Sequence, residues 1–204
     1  MKKVLFSTLA LIVLTTVSQA QFSAGFGGNY AKYGGEVGKA APGIQIRGSY
    51  NFSEKKAVSL AATYGLPVKN TDSYEGTSVE QKTQFITLSL SAVYHLIGGY
   101  EDSFSLYIPV GASYVLANTK LSGSAADPQS GVATSEKFSG PPLTAGVGMQ
   151  FKIGAPFLCA EAGFAIPANT TTNSRGEAVG TFENDIPSHS ILTLGLKFPF
   201  GSSY

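Results

Sequence analysis

Apolar residues recur at every second position along most of the chain, and this alternation constrains the fold more than any other feature. Residues 44–52 are the clearest case. One parity holds Ile44, Ile46, Gly48, Tyr50 and Phe52, and the other holds Gln45, Arg47, Ser49 and Asn51. A period of two places alternate side chains on opposite faces of a β-strand, and the period of an amphipathic helix is almost absent. The sequence therefore predicts an all-β fold.

Eight segments share this pattern, which predicts eight strands. They are residues 22–30, 44–52, 58–66, 86–94, 104–114, 143–151, 158–166 and 192–200. One face of every segment carries only apolar residues and Gly, whereas the other is rich in Gly, Ser and Thr and poor in charge. A solvent-exposed sheet face usually carries many more Lys and Glu. The pattern instead indicates an apolar outside that faces lipid and a narrow, polar interior.

The lengths of the segments and of their connections favour one architecture. A strand of about 10 residues at a tilt near 40° spans roughly 25 Å, the height of an outer-membrane apolar band. The predicted connections are residues 32–42, 53–57, 67–84, 95–103, 117–142, 152–156 and 167–190, and long and short ones alternate. We expect an eight-stranded antiparallel up-and-down transmembrane β-barrel of the bacterial outer membrane, with long outer loops and both termini in the periplasm.

Aromatic residues concentrate toward the ends of the apolar faces. Such residues form girdles at the two membrane interfaces of a transmembrane barrel. The predicted girdle residues are Phe22, Tyr30, Tyr50, Phe52, Tyr64, Tyr94, Phe104, Tyr114, Phe151, Phe164, Phe198 and Phe200.

The N-terminus has the features of an export signal. Lys2 and Lys3 precede an apolar stretch, and Ser18 and Ala20 supply small residues before a predicted cut. We expect residues 1–20 to be removed as a signal peptide and residues 21–204 to form one outer-membrane barrel domain.

Composition excludes several classes of protein. The chain has 14 Lys and Arg against 13 Asp and Glu, without a basic cluster, which argues against a nucleic-acid partner. A single cysteine, Cys159, allows no intramolecular disulfide, and two histidines with one cysteine do not make a structural zinc site. We expect neither a metal nor a cofactor, and we interpret Cys159 as an inward-facing packing residue.

With these features the chain resembles the small eight-stranded outer-membrane barrels of Gram-negative bacteria, the class that includes OmpX and the membrane domain of OmpA. The closing segment, residues 192–200, resembles the terminal strand by which such barrels are recognised for insertion. It departs from the family pattern because Gly201 to Tyr204 follow Phe200. The resemblance implies outer-membrane lipid and the barrel-insertion machinery as partners, with either Phe200 or Tyr204 as the insertion signal.

Charged residues predicted on the inward face are the candidate functional groups. Arg47 and Glu161 lie near mid-strand, where a pair would satisfy both charges, and we expect them to meet in the lumen. The pair either braces the interior or gates a narrow conduit, as an interior ion pair is thought to do in OmpA-like barrels. Lys152 and Lys197 are predicted as lumen rim charges at the periplasmic mouth, where they would favour anions. Pro109 predicts a bulge or kink, because proline removes a ladder hydrogen bond.

An enzyme is the weaker alternative. Ser188, His189, Ser190 and Asp185 suggest acyl transfer on lipid A, but neighbouring residues of a strand point to opposite faces and His95 belongs to the other end. We therefore expect no enzymatic activity. The favoured function is a structural or surface-interaction role through the long outer loops. The alternatives are a narrow, low-conductance pore and, third, a soluble exported barrel that binds a lipid.

Overall fold

The computed structural model describes residues 21–33, 40–74, 77–123, 135–167 and 188–200, so the predicted signal peptide lies outside the described residues. The regular structure of these ranges consists of ten strands. They are β1 (Gln21–Tyr33), β2 (Ala40–Ser53), β3 (Lys56–Gly65), β4 (Val68–Tyr74), β5 (Thr77–Ile97), β6 (Phe104–Gly123), β7 (Ser135–Gly140), β8 (Pro142–Lys152), β9 (Phe157–Pro167) and β10 (His189–Phe200). No helix in these ranges is long and apolar enough to cross a membrane.

The strands form one closed, antiparallel sheet. β1 pairs with β2 on one side and with β10 on the other, and β5 pairs with β6 to complete the ring. β3 and β4 lie end to end along β5, and β8 and β7 lie end to end along β6. The ten strands therefore occupy eight strand positions around the barrel. The predicted eight-stranded barrel is confirmed.

A proline marks the break between the two strands at each of the two interrupted strand positions. Pro67 lies between β3 and β4, and Pro141 lies between β7 and β8. Proline has no N–H for the ladder and is therefore typical of a strand break.

The two ends of the barrel differ in their connections. At one end, residues 54–55, 98–103 and 153–156 join the strands, and we call this the short-turn end. At the other, the long-connection end, lie Tyr33, Gly123 and Pro167.

The apolar faces lie on the outside, as the alternation predicts. Ile46, Leu60 and Leu194 are 65%, 61% and 59% exposed, whereas inward-facing Ser105 and Gln150 are each 0% exposed. A soluble monomer rarely exposes so large a continuous apolar surface, and in a barrel of this kind such a surface contacts lipid.

Most residues of the predicted aromatic girdles are exposed on that surface. Ten of the twelve are exposed, and Tyr50 and Phe198 are half-buried. The ring of Tyr50 meets Phe22 edge-on at 5.6 Å, and the ring of Phe198 stacks on Phe26 at 6.1 Å. These neighbours account for the partial burial of both rings.

Glycines let the first and last strands approach closely enough to close the ring. Gly27 and Gly195 face each other in the register of β1 and β10. A Cβ on Gly27 would lie 2.4 Å from the carbonyl oxygen of Leu194, and one on Gly195 would lie 2.6 Å from that of Phe26. The small inward residues are therefore a steric requirement of this narrow barrel.

Two predicted long connections are wrong. Residues 67–84 contain β4 and the start of β5, and residues 117–142 contain the end of β6 and all of β7. The apolar outward parity stops at Gln84 and Asn118, but the backbone ladder continues beyond them. A strand outside the membrane has no lipid-facing side, so the alternation that reveals the other strands is missing there. The short connection predicted at residues 95–103 is also too long, since β5 extends to Ile97.

Pro109 produces an interruption of the ladder without a bulge. β6 and β8 pair at Tyr107 and Gly148, skip Ile108 and Pro109, and resume at Val110 and Ala145 in an unchanged register. The other neighbour, β5, retains the pair of Val93 with Pro109. Of the predicted bulge or kink, the bulge is wrong, because β6 and β8 leave two positions unpaired without changing register. The recorded shifts of register lie at the short-turn end, at Asn51/Ser53 and His95/Ile97.

Candidate functional site: the barrel interior

An ion pair crosses the middle of the lumen. Arg47 on β2 donates from Nη1 to Oε2 of Glu161 on β9 at 2.7 Å, and from Nη2 to Oε1 at 3.0 Å. The hydroxyl of Tyr107 on β6 donates to Oε2 of the same carboxylate at 3.3 Å. Gly148 makes room for this tyrosine, since a Cβ there would lie 2.2 Å from its ring. Three strands that do not pair with one another are thus joined through one carboxylate.

This arrangement holds two charges away from bulk water. The side chains of Arg47 and Glu161 are 22% and 18% exposed. A two-point contact between guanidinium and carboxylate is the strongest form of such a pair, and it offsets the desolvation that both groups suffer. Chemically the arrangement can brace the barrel and obstruct the lumen at its mid-height.

A polar cavity extends from the ion pair toward the short-turn end. Its volume is about 660 Å³, counting the space open to solvent. Besides the ion pair, its lining includes Ser59, His95, Gln150, Cys159, Thr193 and Lys197.

Lys197 lies deeper than a rim position, so that part of the sequence prediction needs correction. Its Nζ donates to Oε1 of Gln150 and lies 5.1 Å from the ring centroid of Phe157. β10 continues for three residues past Lys197 to Phe200, as predicted, and the lysine side chain reaches Gln150 and Phe157 inside the barrel. Lys152 is exposed at the end of β8, with its Nζ 5.9 Å from the centroid of Phe157.

The turn at residues 98–103 covers the short-turn end of the cavity. Tyr100 N–H donates to the carbonyl of Glu54 at 3.0 Å, and Gln150 Nε2 donates to the carbonyl of Tyr100 at 2.9 Å. Tyr100 is buried, and its burial, together with the nearby Glu101, raises its pKa to about 12. The hydrogen bonds to Glu54 and from Gln150 hold the turn across the mouth.

An apolar layer lies inside the barrel at the long-connection end. The layer consists of Ala31, Tyr33, Ala41, Phe85, Val115 and Ala117, all of them buried. The rings of Tyr33 and Phe85 stack with centroids 4.0 Å apart, and Tyr33 also contacts the ring of His189 at 4.7 Å. Sequence analysis missed this layer because all six of its residues lie beyond the ends of the eight segments. The sequence does contain a sign of this layer, because its residues continue the alternate, inward-facing positions of their strands.

His189 and the two serines beside it face opposite sides of β10. Ser188 and Ser190 are exposed, whereas His189 is buried between them against Tyr33, and Asp185 lies outside the described residues. His95 is buried at the end of β5, where it shares a hydrogen bond with Ser105 Oγ. Among the described residues, no group of three or more His, Cys, Asp or Glu could hold a metal ion. Cys159 is half-buried on the lumen side with a free thiol.

Comparison with known proteins decides the family. The sequence matches the outer membrane protein beta-barrel domain over residues 4–200. The chain belongs to this family. It is an outer-membrane barrel protein, and its exposed apolar wall lies in the lipid of the bacterial outer membrane. No curated protein matches the sequence.

Solved structures share the fold of this outer-membrane barrel at low sequence identity. Ail of Yersinia pestis is 16% identical with a TM-score of 0.51, and the match covers 89% of this chain and 97% of Ail. OprG of Pseudomonas aeruginosa is 12% identical with a TM-score of 0.60, covering 90% and 97%. A major outer membrane protein of Thermus thermophilus is 16% identical with a TM-score of 0.60, covering 89% and 99%.

Proposed function

We propose that this outer-membrane barrel is a non-enzymatic surface-interaction protein that binds its partner through a sheet extension at the long-connection end. The sheet extension comprises β4, residues 77–84 of β5, residues 118–123 of β6, and β7. The observation that carries the proposal is that these paired strands continue past the apolar wall. In this arrangement the extension lies outside the cell and both termini lie in the periplasm. Residues 1–20 are the removed signal peptide, and either Phe200 or Tyr204 is the signal for the insertion machinery.

The end of the apolar wall is sharp. On β5 the last large apolar residue of the outward face is Ile86, and on β6 it is Leu116. The next outward residues, Gln84 and Asn118, face each other in the register. The eight residues from 77 to 84 rise about 25 Å along the strand at roughly 3.3 Å per residue. A paired sheet of that length extends well beyond a headgroup layer and offers a rigid surface for contact.

The side chains that cross the interior support a role on the surface. The ion pair crosses the middle of the lumen, the apolar layer lies toward one end, and the turn around Tyr100 lies across the other. Such an interior suits a barrel that acts as a membrane anchor. A barrel of similar fold, Ail of Yersinia pestis, was crystallised in complex with the heparin analogue sucrose octasulfate, so one member of this architecture holds a ligand of its own.

Cysteine labelling on intact cells tests where the sheet extension lies. Thr71 on β4 and Glu54 in a short turn are both exposed, and each would be replaced by Cys in a Cys159→Ser background. A membrane-impermeant maleimide should label Thr71→Cys on intact cells and Glu54→Cys only after the outer membrane is opened. Labelling of Glu54→Cys alone on intact cells would place the extension in the periplasm and would refute the surface role.

The second candidate function is a narrow pore gated by the ion pair. The observation that favours it is the polar cavity beside Arg47 and Glu161. Opening would require the pair to separate and the apolar layer to part, since the layer lies in line with the cavity. Ion conduction separates this candidate from the surface role.

A further inference from the structure

Three lysines lie side by side across the outward face of the sheet extension. The register places Lys82 on β5 directly opposite Lys69 on β4 and directly opposite Lys120 on β6. All three are exposed. We call this set the lysine row. Its two cross-strand pairs are like-charged, with Cβ atoms about 5 Å apart by the geometry of such pairs, and such contacts are unfavourable without a counter-charge.

The charge of the lysine row is only partly neutralised within the described residues. Glu80 Oε1 accepts from Lys69 Nζ at 2.9 Å, and their side chains remain 40% and 63% exposed. Glu80 is the only acidic residue at an outward register position in the described part of the extension. The register also places Lys137 of β7 opposite Asn118, the outward residue of β6 next to Lys120. The face is therefore positively charged and is suited to an anion.

The height of the lysine row identifies the anion. Lys82 precedes Ile86 by four residues on β5, and Lys120 follows Leu116 by four on β6, so both lie four residues beyond the last apolar residue of the outward face. Four residues rise about 13 Å along a strand, or roughly 10 Å along the membrane normal at a tilt near 40°. Since the headgroup layer is about 5 to 8 Å thick on each side, flexible lysine side chains at this height reach its phosphates.

We propose that the lysine row binds the phosphate groups of outer-membrane lipid headgroups and so fixes the depth and rotation of the sheet extension at the membrane surface. Lipid phosphate would relieve the repulsion between the three ammonium groups and would join β4, β5 and β6 at the point where the apolar wall ends. The inference rests on the proposed orientation, with the sheet extension at the outer side of the membrane, and not on the surface-binding role.

Titration of the full, detergent-solubilised barrel with bis-phosphorylated lipid A, followed by native mass spectrometry, tests this site. A lysine beside an anionic lipid surface strengthens binding about fivefold, so Lys82→Gln with Lys120→Gln should weaken binding about 25-fold. The matched control, Lys55→Gln with Lys56→Gln, removes the same charge from exposed residues at the short-turn end and should change binding less than twofold. Dephosphorylated lipid A should bind the wild-type barrel as weakly as bis-phosphorylated lipid A binds the double variant.

Several outcomes would overturn the proposal. Equal losses in the two double variants would show a non-specific charge effect, and equal binding of phosphorylated and dephosphorylated lipid would exclude phosphate recognition. Tighter binding of soluble sucrose octasulfate than of lipid A would make the row a site for a soluble polyanion. Heat-dependent gel mobility reports whether each variant is folded. Labelling of Thr71→Cys is measured separately, so failure here leaves the surface role standing.

Discussion

Replacing Glu161 by Ala should destabilise the folded barrel by about 3 to 5 kcal/mol, because it leaves the Arg47 guanidinium without its carboxylate in the middle of the lumen. Tyr107 would lose its acceptor as well. The measurement is the free energy of unfolding in urea for the barrel reconstituted in lipid vesicles. Unfolding of wild-type protein under the same conditions gives the reference value.

Two further variants separate loss of charge compensation from loss of any interior contact. Gln45 lies on the same inward face of β2 as Arg47, and its Nε2 donates to Thr63 Oγ1 on β3 at 3.1 Å. Gln45→Ala removes this neutral hydrogen bond and should cost about 1 kcal/mol. Arg47→Met combined with Glu161→Leu removes both charges and should recover most of the lost stability. A Glu161→Ala variant no less stable than Gln45→Ala would show that the pair does not brace the barrel.

Replacing Leu90 by Arg should cost about 2 to 4 kcal/mol of folding free energy, because it places a charge on the lipid-facing side at mid-height. Leu90 is 57% exposed on β5 and stands between Ile86 and Tyr94 on the same face. Its neighbours in the register are Leu60 and Ala112, so the site is surrounded by apolar side chains. The same urea unfolding experiment measures this change.

Leu96→Arg is the matched control for Leu90→Arg. Leu96 lies on the same face of β5, is 45% exposed, and comes after Tyr94 toward the short-turn end. The cost of a lipid-facing arginine falls to about 0 to 1 kcal/mol near the interface. If Leu90→Arg and Leu96→Arg both cost little folding free energy, and the same amount, the result would contradict the assignment of this outward face to lipid.

The barrel itself could be predicted because lipid imposes one simple rule on every strand. Wherever a strand crosses the membrane, as in residues 44–52, its outward side chains are apolar and its inward ones are small or polar. The same rule placed Arg47 and Glu161 on inward faces. Their proximity could be proposed since each charge in a narrow interior needs a partner, although the two-point geometry and the bond from Tyr107 depend on the room left by Gly148.

Features beyond the membrane could not be predicted by that rule. β4 and β7 and the outer parts of β5 and β6 pair as strands without an apolar outward face, so their sequences have the composition of loops. The apolar layer around Tyr33 and Phe85 was missed for a related reason, because it lies where the outward pattern fades. Lys197 was placed at the rim because it lies near the end of the segment 192–200, and its contacts with Gln150 and Phe157 inside the barrel are not visible in the sequence.

Single-channel current across a planar bilayer tests most directly whether this is a closed barrel that acts through its surface. Purified, folded wild-type protein would be compared with Arg47→Ala and Glu161→Ala. We predict that all three barrels are silent, because the apolar layer and the turn around Tyr100 still close the lumen when the ion pair is lost. Discrete openings in the wild type, enlarged in either variant, would contradict this account and would assign the protein's function to the ion pair as the gate of a pore.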